Sequence, residues 1–446
     1  MYTNINTALV LFGVKFVRMK RLLTLSVFIC SLLMIDAQPV QAQFWKKIFK
    51  KEDKRKPKKP KQDTTTKKDD KKEKLKSKKA PEYPESKLSN TYRVDVLLPL
   101  HLNSLVHNGK PAYKQIPDGS LIGVNFYEGL RIACDTLATQ GIKMEVYVHD
   151  IYDAAGKVDY LLANKIMDST DLIIGAVQSN DIPQIAAFAK KRSVNFISAL
   201  SPADAGVKDN PYFILVQPAL HTHIRAIVDC GKRKFSNERS YILYRDNENE
   251  KEGYSLLKKW LKDAEPTEVK CASNITVDNF KHVFDSTKKN IVYVSFIETG
   301  YAEKVLQTLA KMPSKYKFEV LGMPSWKAMY SITQTGNYPD MNIYFTTPFY
   351  FDPTTAVGQY INQEYKKYAS SKPAEMVYRA YETTHWAGHL LHRYGKYFNE
   401  HIKDVSAANF TKYDIEPEYS DENDFLYMEN KELNIYRYSN GSYSVE

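Results

Sequence analysis

Cysteine is scarce in this sequence, and that scarcity excludes several classes of protein. The 446 residues include 4 cysteines, and no two of them are spaced as CxxC. A small domain held together by disulfides and a cysteine-based zinc or redox site are therefore not expected. The sequence leaves open one disulfide, between Cys230 and Cys271.

The short motifs of common hydrolase and nucleotide-binding sites are also missing. The sequence contains no GxSxG nucleophile motif and no GxxxxGK[ST] phosphate-binding loop. Asp150 and Asp153 are close enough in sequence to form a carboxylate pair, but no nucleophile or oxyanion pattern accompanies them. We expect neither an enzyme nor a bound cofactor.

A net positive charge is absent from most of the chain, although the whole sequence has a formal net charge of +11. Residues 46–87 hold 19 basic and 8 acidic residues, whereas the residues after position 87 hold 40 basic and 43 acidic ones. Blocks of like charge with almost no apolar residues are typically disordered. We interpret residues 43–90 as a disordered Lys-rich linker, and nucleic acid is not an expected partner.

No apolar run is long enough to cross a bilayer comfortably. The longest one at the N-terminus covers residues 22–35, follows the basic residues Arg18, Lys20 and Arg21 and precedes a small-residue site ending at Ala42. This pattern is typical of a secretory signal peptide, residues 1–42. Lipidation of Cys30 is less favoured because three bulky residues precede it. We expect an exported, periplasmic protein.

From residue 91 onward, strands alternate with helices, and the alternation restarts after Pro218. RVDVLLPL (93–100) has the composition of a buried strand, and VNFYEGLRIACDTLATQG has apolar residues at helical spacing. The pattern predicts an α/β fold with two lobes, each a mostly parallel sheet flanked by helices. The predicted boundaries are about 91–218 and 353–405 for lobe 1, 219–352 for lobe 2, and 406–446 for a C-terminal hairpin segment that turns at Asn440-Gly441.

The order of these segments resembles a known family. The succession VDVLLPL, NFYEGLRIACDTL, MEVYVHDIYDAAGKV and DLIIGAVQSNDIPQIAAFAKKRSVNFISALS is similar to the type I periplasmic binding proteins, which include the branched-chain amino-acid receptors. The likeness extends from about residue 92 to residue 395. It implies a two-lobed clamp that closes on a small solute. Lipoprotein activators of penicillin-binding proteins share this clamp and are not known transport receptors.

In such a clamp the ligand binds beyond the carboxyl ends of the strands. Gln178 and Ser179 follow the strand DLIIGAV, and the resemblance places Ser179 at the family serine that holds a ligand carboxylate. An ordinary helix N-cap is the alternative role for Ser179. Leu200 and Ser201 correspond to the second carboxylate loop, although Ala199 departs from the family pattern there.

The second lobe departs further from the amino-acid receptors. Where they place an acidic residue for the ligand ammonium, this chain has Ser325 and Trp326, and we expect Glu298 to substitute from the neighbouring strand end. Tyr301 lies near a ligand-contacting tyrosine of the family. Together with Phe349 and Tyr350, these aromatic residues could line a cleft for a flat or sugar-like ligand, or could pack in the core.

A metal site is not expected. His385, His389 and His392 lie on one face of a predicted helix, but the sequence lacks the Glu of an HExxH motif.

Two functions of different classes follow. The first is an exported receptor that closes on a small molecule, with an amino-acid-like solute as one option, for uptake through an ABC-type permease or for sensing. The second is an envelope scaffold that uses the same fold to regulate a cell-wall (peptidoglycan) synthesis protein. In either case the basic linker could hold the clamp near an anionic surface of the envelope.

Overall fold

The computed structural model describes residues 15–16, 78–107, 110–113, 115–334, 336–338, 340–369, 371–404 and 410–446. The predicted signal peptide, apart from residues 15–16, and the predicted linker up to residue 77 lie outside the described residues. In chain order the strands are β1 (Lys15–Phe16), β2 (Tyr92–Leu98), β3 (Val106–His107), β4 (Lys110–Pro111), β5 (Met144–Asp150), β6 (Leu172–Gly175), β7 (Asn195–Ser198), β8 (Phe213–Leu215), β9 (Arg239–Tyr244), β10 (Thr267–Lys270), β11 (Lys289–Val294), β12 (Lys317–Leu321), β13 (Met341–Thr347), β14 (Ile415–Tyr419), β15 (Phe425–Asn430), β16 (Asn434–Ser439) and β17 (Ser442–Val445). The α-helices are α1 (Leu102–Leu105), α2 (Asp118–Thr139), α3 (Val158–Ala163), α4 (Ile182–Arg192), α5 (Leu220–Lys234), α6 (Lys251–Leu261), α7 (Thr299–Ala310), α8 (Ala356–Lys366) and α9 (Glu375–Tyr394).

The strands form two large sheets, which confirms the predicted fold class. Sheet 1 has the order β1-β5-β2-β6-β7-β8-β15-β14, and sheet 2 has the order β10-β9-β11-β12-β13-β16-β17. Most neighbours are parallel, and the antiparallel pairs are β14 with β15, β13 with β16, and β16 with β17. The carboxyl ends of the parallel strands therefore lie along one edge of each sheet.

The core follows from the alternation of side chains along the strands. In β6, Ile174 faces the apolar cluster under α2 and α9, whereas Ile173 faces the cluster under α4. Helices α2 and α9 can approach closely because a Cβ on Gly129 would lie 2.1 Å from the Val377 carbonyl oxygen. Sheet 2 and α5, α6 and α7 share a separate apolar core.

The chain passes between the two sheets three times. It leaves sheet 1 after β8 through residues 216–219, returns from β13 through residues 348–355, and crosses again through residues 431–433 between β15 and β16. We call these three segments the crossovers. A clamp whose lobes are joined only by short crossovers is suited to rigid-body hinge motion.

The C-terminal segment, predicted as one hairpin unit, is divided between the sheets. β14 and β15 complete the edge of sheet 1, whereas β16 and β17 complete the edge of sheet 2. The predicted turn at Asn440-Gly441 is confirmed, because both residues have positive φ angles, 49° and 87°, as a type I′ turn requires.

The predicted linker boundary at residue 90 is wrong, because the preceding residues pack on the body. The Tyr83 hydroxyl donates to the Pro211 carbonyl at 3.2 Å, and Ser86 Oγ accepts from the Tyr397 N–H at 3.0 Å. The Tyr83 ring also meets Tyr212 edge-on. Pro211 precedes β8, so this segment joins sheet 1 at the edge opposite the carboxyl ends of the parallel strands.

The three cysteines in the described part of the chain, Cys134, Cys230 and Cys271, are buried and form no disulfide. The disulfide that the sequence left open is therefore not formed.

Candidate functional site

Gln178 and Ser179 lie at the carboxyl edge of sheet 1, where the sequence predicted them. β6 ends three residues before Gln178, whose side chain is exposed, and Ser179 is half-buried. The N-cap of α4 is Asp181. None of the hydrogen bonds of the described residues involves the Ser179 hydroxyl, so the N-cap alternative does not account for this serine.

Leu200 and Ser201 follow β7 at the same edge, but both side chains are buried. Ser201 Oγ accepts from the Ala203 N–H at 3.2 Å, which stabilises the local turn. The Ser201 hydroxyl proton is left for another acceptor.

At the carboxyl edge of sheet 2, Glu298 belongs to a charged network. Arg245, the residue after β9, donates to Glu298 at 2.6 Å and makes two bonds, of 2.6 and 2.7 Å, to the buried carboxylate of Glu250. The Glu298 side chain remains 49% exposed, so its carboxylate is held in a fixed position yet stays accessible. Such a group can pair with the cationic group of a ligand.

Tyr301, Ser325 and Trp326, which were predicted to contact the ligand, instead form hydrogen bonds with backbone carbonyl groups of the protein. The Tyr301 hydroxyl donates to the Ala272 carbonyl at 2.6 Å, and the Arg245 guanidinium lies 4.0 Å from the centre of its ring. Ser325 Oγ donates to the Ile297 carbonyl at 2.9 Å, and Trp326 Nε1 donates to the Phe296 carbonyl at 3.0 Å. The side chains of Ser325 and Trp326 are fully buried.

These contacts correct the prediction of an aromatic cleft built on Trp326 and Tyr301. The Trp326 indole lies so close to the backbone that a Cβ on Gly322 would be 2.2 Å from it. Both aromatic residues therefore pack in the core of sheet 2, the alternative that the sequence left open. Phe349 is buried as well, and of the predicted aromatic residues only Tyr350 is exposed.

Sequence reasoning missed two other exposed tyrosines at the strand ends. Tyr152 follows β5, stacks on His101 at a ring distance of 3.8 Å and stays 44% exposed. Tyr330 lies in the turns after β12 and is 61% exposed. For Tyr152 the sequence signal is an aromatic residue in the loop directly after a predicted buried strand, whereas Tyr330 lies nine residues beyond β12 and has no such signal.

Asp150 holds the loop beneath Tyr152. Its carboxylate accepts from the backbone N–H groups of Leu100, His101 and Leu102 at 3.1, 3.0 and 2.7 Å. Asp150 thus positions the loop after β2, and this role explains its burial without any acid–base chemistry.

A network of charges connects the lobes at the crossovers. The fully buried Glu429 of β15 accepts from the Ala219 N–H and the Thr222 hydroxyl, both at 2.8 Å, and from Lys431 Nζ at 2.7 Å. His221 Nε2 at the start of α5 lies 3.2 Å from the same carboxylate and 3.4 Å from that of Glu418. We call His221, Thr222, Glu418, Glu429 and Lys431 the hinge network.

The hinge network should give stability a broad optimum in pH. Although burial opposes both shifts, the ionic partners raise the pKa of His221 to about 9 and lower that of Glu429 to about 2. Stabilisation by Glu429 is complete above the ordinary glutamate pKa and is lost as the pH falls toward 2. Stabilisation by His221 is complete below the ordinary histidine pKa and is lost as the pH rises toward 9.

We therefore expect the urea concentration at the unfolding midpoint of the wild type to be lower at pH 9 than at pH 7. The decrease should be smaller in His221→Gln. Equal alkaline slopes in the two proteins would show that His221 does not carry this effect.

The three histidines that the sequence placed on one helical face, His385, His389 and His392, lie on α9. His385 Nε2 and His389 Nε2 are 3.3 Å apart, and burial lowers the pKa of His385 to about 4. Among the described residues, three possible ligand side chains come together only at His221, Glu418 and Glu429. There the Lys431 ammonium donates to both carboxylates, so the cluster already contains its own cation.

A family model described as periplasmic binding protein matches residues 120–412. No curated protein matches the chain. Among solved structures, an ABC transporter protein of Rhodospirillum rubrum is 12% identical, with a TM-score of 0.56, and the match covers 80% of this chain and 100% of that one. A branched chain amino acid ABC transporter periplasmic ligand-binding protein of Burkholderia xenovorans is 11% identical, with a TM-score of 0.53 and coverages of 80% and 94%.

An ABC transporter substrate-binding protein of Desulfitobacterium hafniense is 10% identical, with a TM-score of 0.51 and coverages of 80% and 100%. At these identities the structural matches establish the fold. No helix within the described residues has the length and apolar character that a membrane span needs.

Proposed function

Because the chain belongs to the periplasmic binding protein family, we propose that it is an exported receptor that binds a small solute between its two lobes. The observation that carries the proposal is the pair of polar strand-end sites on the two sheets. Ser179 on sheet 1 has a hydroxyl with no partner among the described residues, and Glu298 on sheet 2 has a fixed, accessible carboxylate.

The chemistry of these two residues suggests a dipolar, amino-acid-like solute. A serine hydroxyl near a helix N-terminus suits a carboxylate, and the Glu298 carboxylate suits an ammonium group. The proteins with the same fold that are described as branched-chain amino-acid receptors are consistent with this class. The exposed Tyr152 and Tyr330 offer flat apolar surfaces for the rest of the solute.

The predicted signal peptide and linker support a periplasmic location, with residues 43–77 as a tether. The ordered segment around Tyr83 joins sheet 1 at the edge away from the strand-end sites. A tether at that edge leaves those sites free for an ABC-type permease, and its basic residues suit an anionic envelope surface.

A scaffold in peptidoglycan synthesis is the second candidate. The loop after β12, where amino-acid receptors are expected to hold an acidic residue, instead buries Ser325 and Trp326 in the core. A clamp that has lost this anchor could bind a protein partner in place of a solute.

A thermal-shift screen separates the two candidates, because a ligand that binds only the folded protein raises its melting temperature. The screen should include amino acids, peptides, sugars and cell-wall fragments. The receptor proposal expects a saturable rise with at least one amino-acid-like solute. If every member of the screen leaves the melting temperature unchanged, the scaffold becomes the better account.

If the screen identifies a solute with a carboxylate, Ser179→Ala should weaken its binding by roughly 1–3 kcal/mol, because a hydrogen bond to a charged group is lost. Isothermal titration calorimetry measures the change. Ser255→Ala on the exposed face of α6 is the matched control and should bind as the wild type does. Unchanged affinity in Ser179→Ala would remove this serine from the site.

A further inference from the structure

Arg379 is a buried cation that has no anionic partner. It lies in the second turn of α9 with 4% of its surface exposed. Among the described residues no carboxylate lies within ion-pair distance of its guanidinium. On its own helix, Glu375 pairs with Lys327 of the other lobe at 2.7 Å, and the buried Glu382 accepts from the Phe410 and Thr411 N–H groups and the Thr411 hydroxyl. Arginines that are buried this deeply are normally paired, because removing an uncompensated charge from water is costly.

The hydrogen bonds around Arg379 are incomplete on one particular edge. Nη2 donates to Gln217 Oε1 at 2.6 Å, whereas Nε, which lies on the same edge of the guanidinium, has no acceptor. The Gln217 side-chain amide is buried as well, and its Nε2 also lacks an acceptor. Arg379 Nε and Gln217 Nε2 are therefore two buried donors without an acceptor. They lie close to the edge of the guanidinium that can bind the oxygens of a carboxylate or phosphate.

The contact between Arg379 and Phe349 does not supply an acceptor for Arg379 Nε. The guanidinium lies 3.8 Å from the centre of the Phe349 ring, and this cation–π contact stabilises the charge through one face of the group. The N–H bonds, however, lie in the plane of the guanidinium, so the ring cannot accept from Nε in the geometry of a normal hydrogen bond.

Arg379 also lies where the two lobes meet. Gln217 belongs to the first crossover, two residues beyond the carboxyl end of β8, and Phe349 belongs to the second crossover, two residues beyond β13. A group held by Arg379 and Gln217 would therefore lie beside two of the three crossovers that join the lobes.

From these observations we infer that Arg379 and Gln217 form an anion subsite, which receives a carboxylate or phosphate group of the solute at the hinge. The inference rests on the proposed function and gives the solute an acidic group at the hinge, in addition to the carboxylate assigned to Ser179. The anion accepts from Arg379 Nε and from Gln217 Nε2, and it supplies the negative charge that the buried guanidinium lacks.

The test compares anions on the full-length folded protein. The melting temperature is measured in acetate, in inorganic phosphate and in chloride at matched ionic strength, for the wild type, Gln217→Glu and Arg379→Met. Gln217→Glu supplies a carboxylate of nearly the same shape beside Arg379. We expect the wild type to melt roughly 2 °C or more higher in acetate or phosphate than in chloride.

Gln217→Glu should melt higher than the wild type in chloride and should lose the response to acetate and phosphate. The difference between the acetate and phosphate responses distinguishes the two kinds of anion. Equal responses in the wild type and Gln217→Glu, or no response in the wild type, would overturn the subsite. If Arg379→Met does not fold, the comparison of the wild type with Gln217→Glu still decides.

The experiments distinguish a failure of the anion subsite from a failure of the proposed receptor function. A solute without an acidic group that stabilises the wild type and Gln217→Glu equally would support the receptor and contradict the subsite. An anion response that Gln217→Glu abolishes, without any organic solute binding in the screen, would support the subsite and contradict the receptor.

Discussion

Glu429→Ala is expected to destabilise the protein by about 3–5 kcal/mol, because the change leaves buried charges without their partner. The Glu429 carboxylate binds Ala219, Thr222 and Lys431 at once and faces His221, so its removal opens contacts on both lobes. Urea unfolding, followed by circular dichroism, gives the free energy of unfolding.

Glu416→Ala is the matched control for this prediction. Glu416 lies on β14, in the same sheet, and forms an exposed ion pair with Lys403. Exposed pairs contribute between 0 and about 1 kcal/mol, so this variant should unfold close to the wild type. A loss below about 1 kcal/mol in Glu429→Ala would mean that the hinge network does not hold the lobes.

Trp326→Ala is expected to destabilise the protein by about 3–5 kcal/mol, because it leaves a large cavity in the core of sheet 2. The indole is fully buried, and its Nε1 bond to the Phe296 carbonyl is lost as well. The same unfolding experiment measures the change.

Tyr330→Ala tests the same region from its surface. Tyr330 is exposed in the turns that follow Trp326, and its substitution should change the free energy of unfolding by about 0.5 kcal/mol or less. If Trp326→Ala were as stable as Tyr330→Ala, the assignment of Trp326 to the core would be wrong.

The sequence predicted the layout of the sheets because the signal for a buried strand is local. DLIIGAV and VNFISAL consist mostly of apolar residues, and each contains a strand of sheet 1, β6 and β7 respectively. The turn at Asn440-Gly441 was predictable for a similar reason, since few residue pairs adopt two positive φ angles easily.

The partners of individual side chains were not predictable in the same way. His221 and Glu429 meet although 208 positions separate them, and Arg379 meets Gln217 across 162 positions. A single sequence contains no signal for such a pairing, because each of these polar residues is equally compatible with an exposed surface.

The same limit explains the errors at Trp326 and Tyr83. Trp326 was placed in a cleft because its loop follows a strand. Its indole packs against Gly322, which has no side chain to obstruct it, and this contact can be recognised only once the turn between the two residues is known. Tyr83 was assigned to the linker because charged residues surround it, and only the fold shows that Pro211 and Tyr212 receive its ring.

The central claim is that the two lobes close on a small solute, and the distance between the lobes tests it most directly. Spin labels at Lys191→Cys on α4 and Ser255→Cys on α6 would report this distance by double electron–electron resonance. Both positions are exposed, whereas Cys134, Cys230 and Cys271 are buried and Cys30 belongs to the predicted signal peptide, so labelling of a protein that lacks residues 1–42 should be selective. The account predicts a shorter, narrower distance distribution when a solute from the screen is added. A distribution that is identical with and without a solute that demonstrably binds would contradict it.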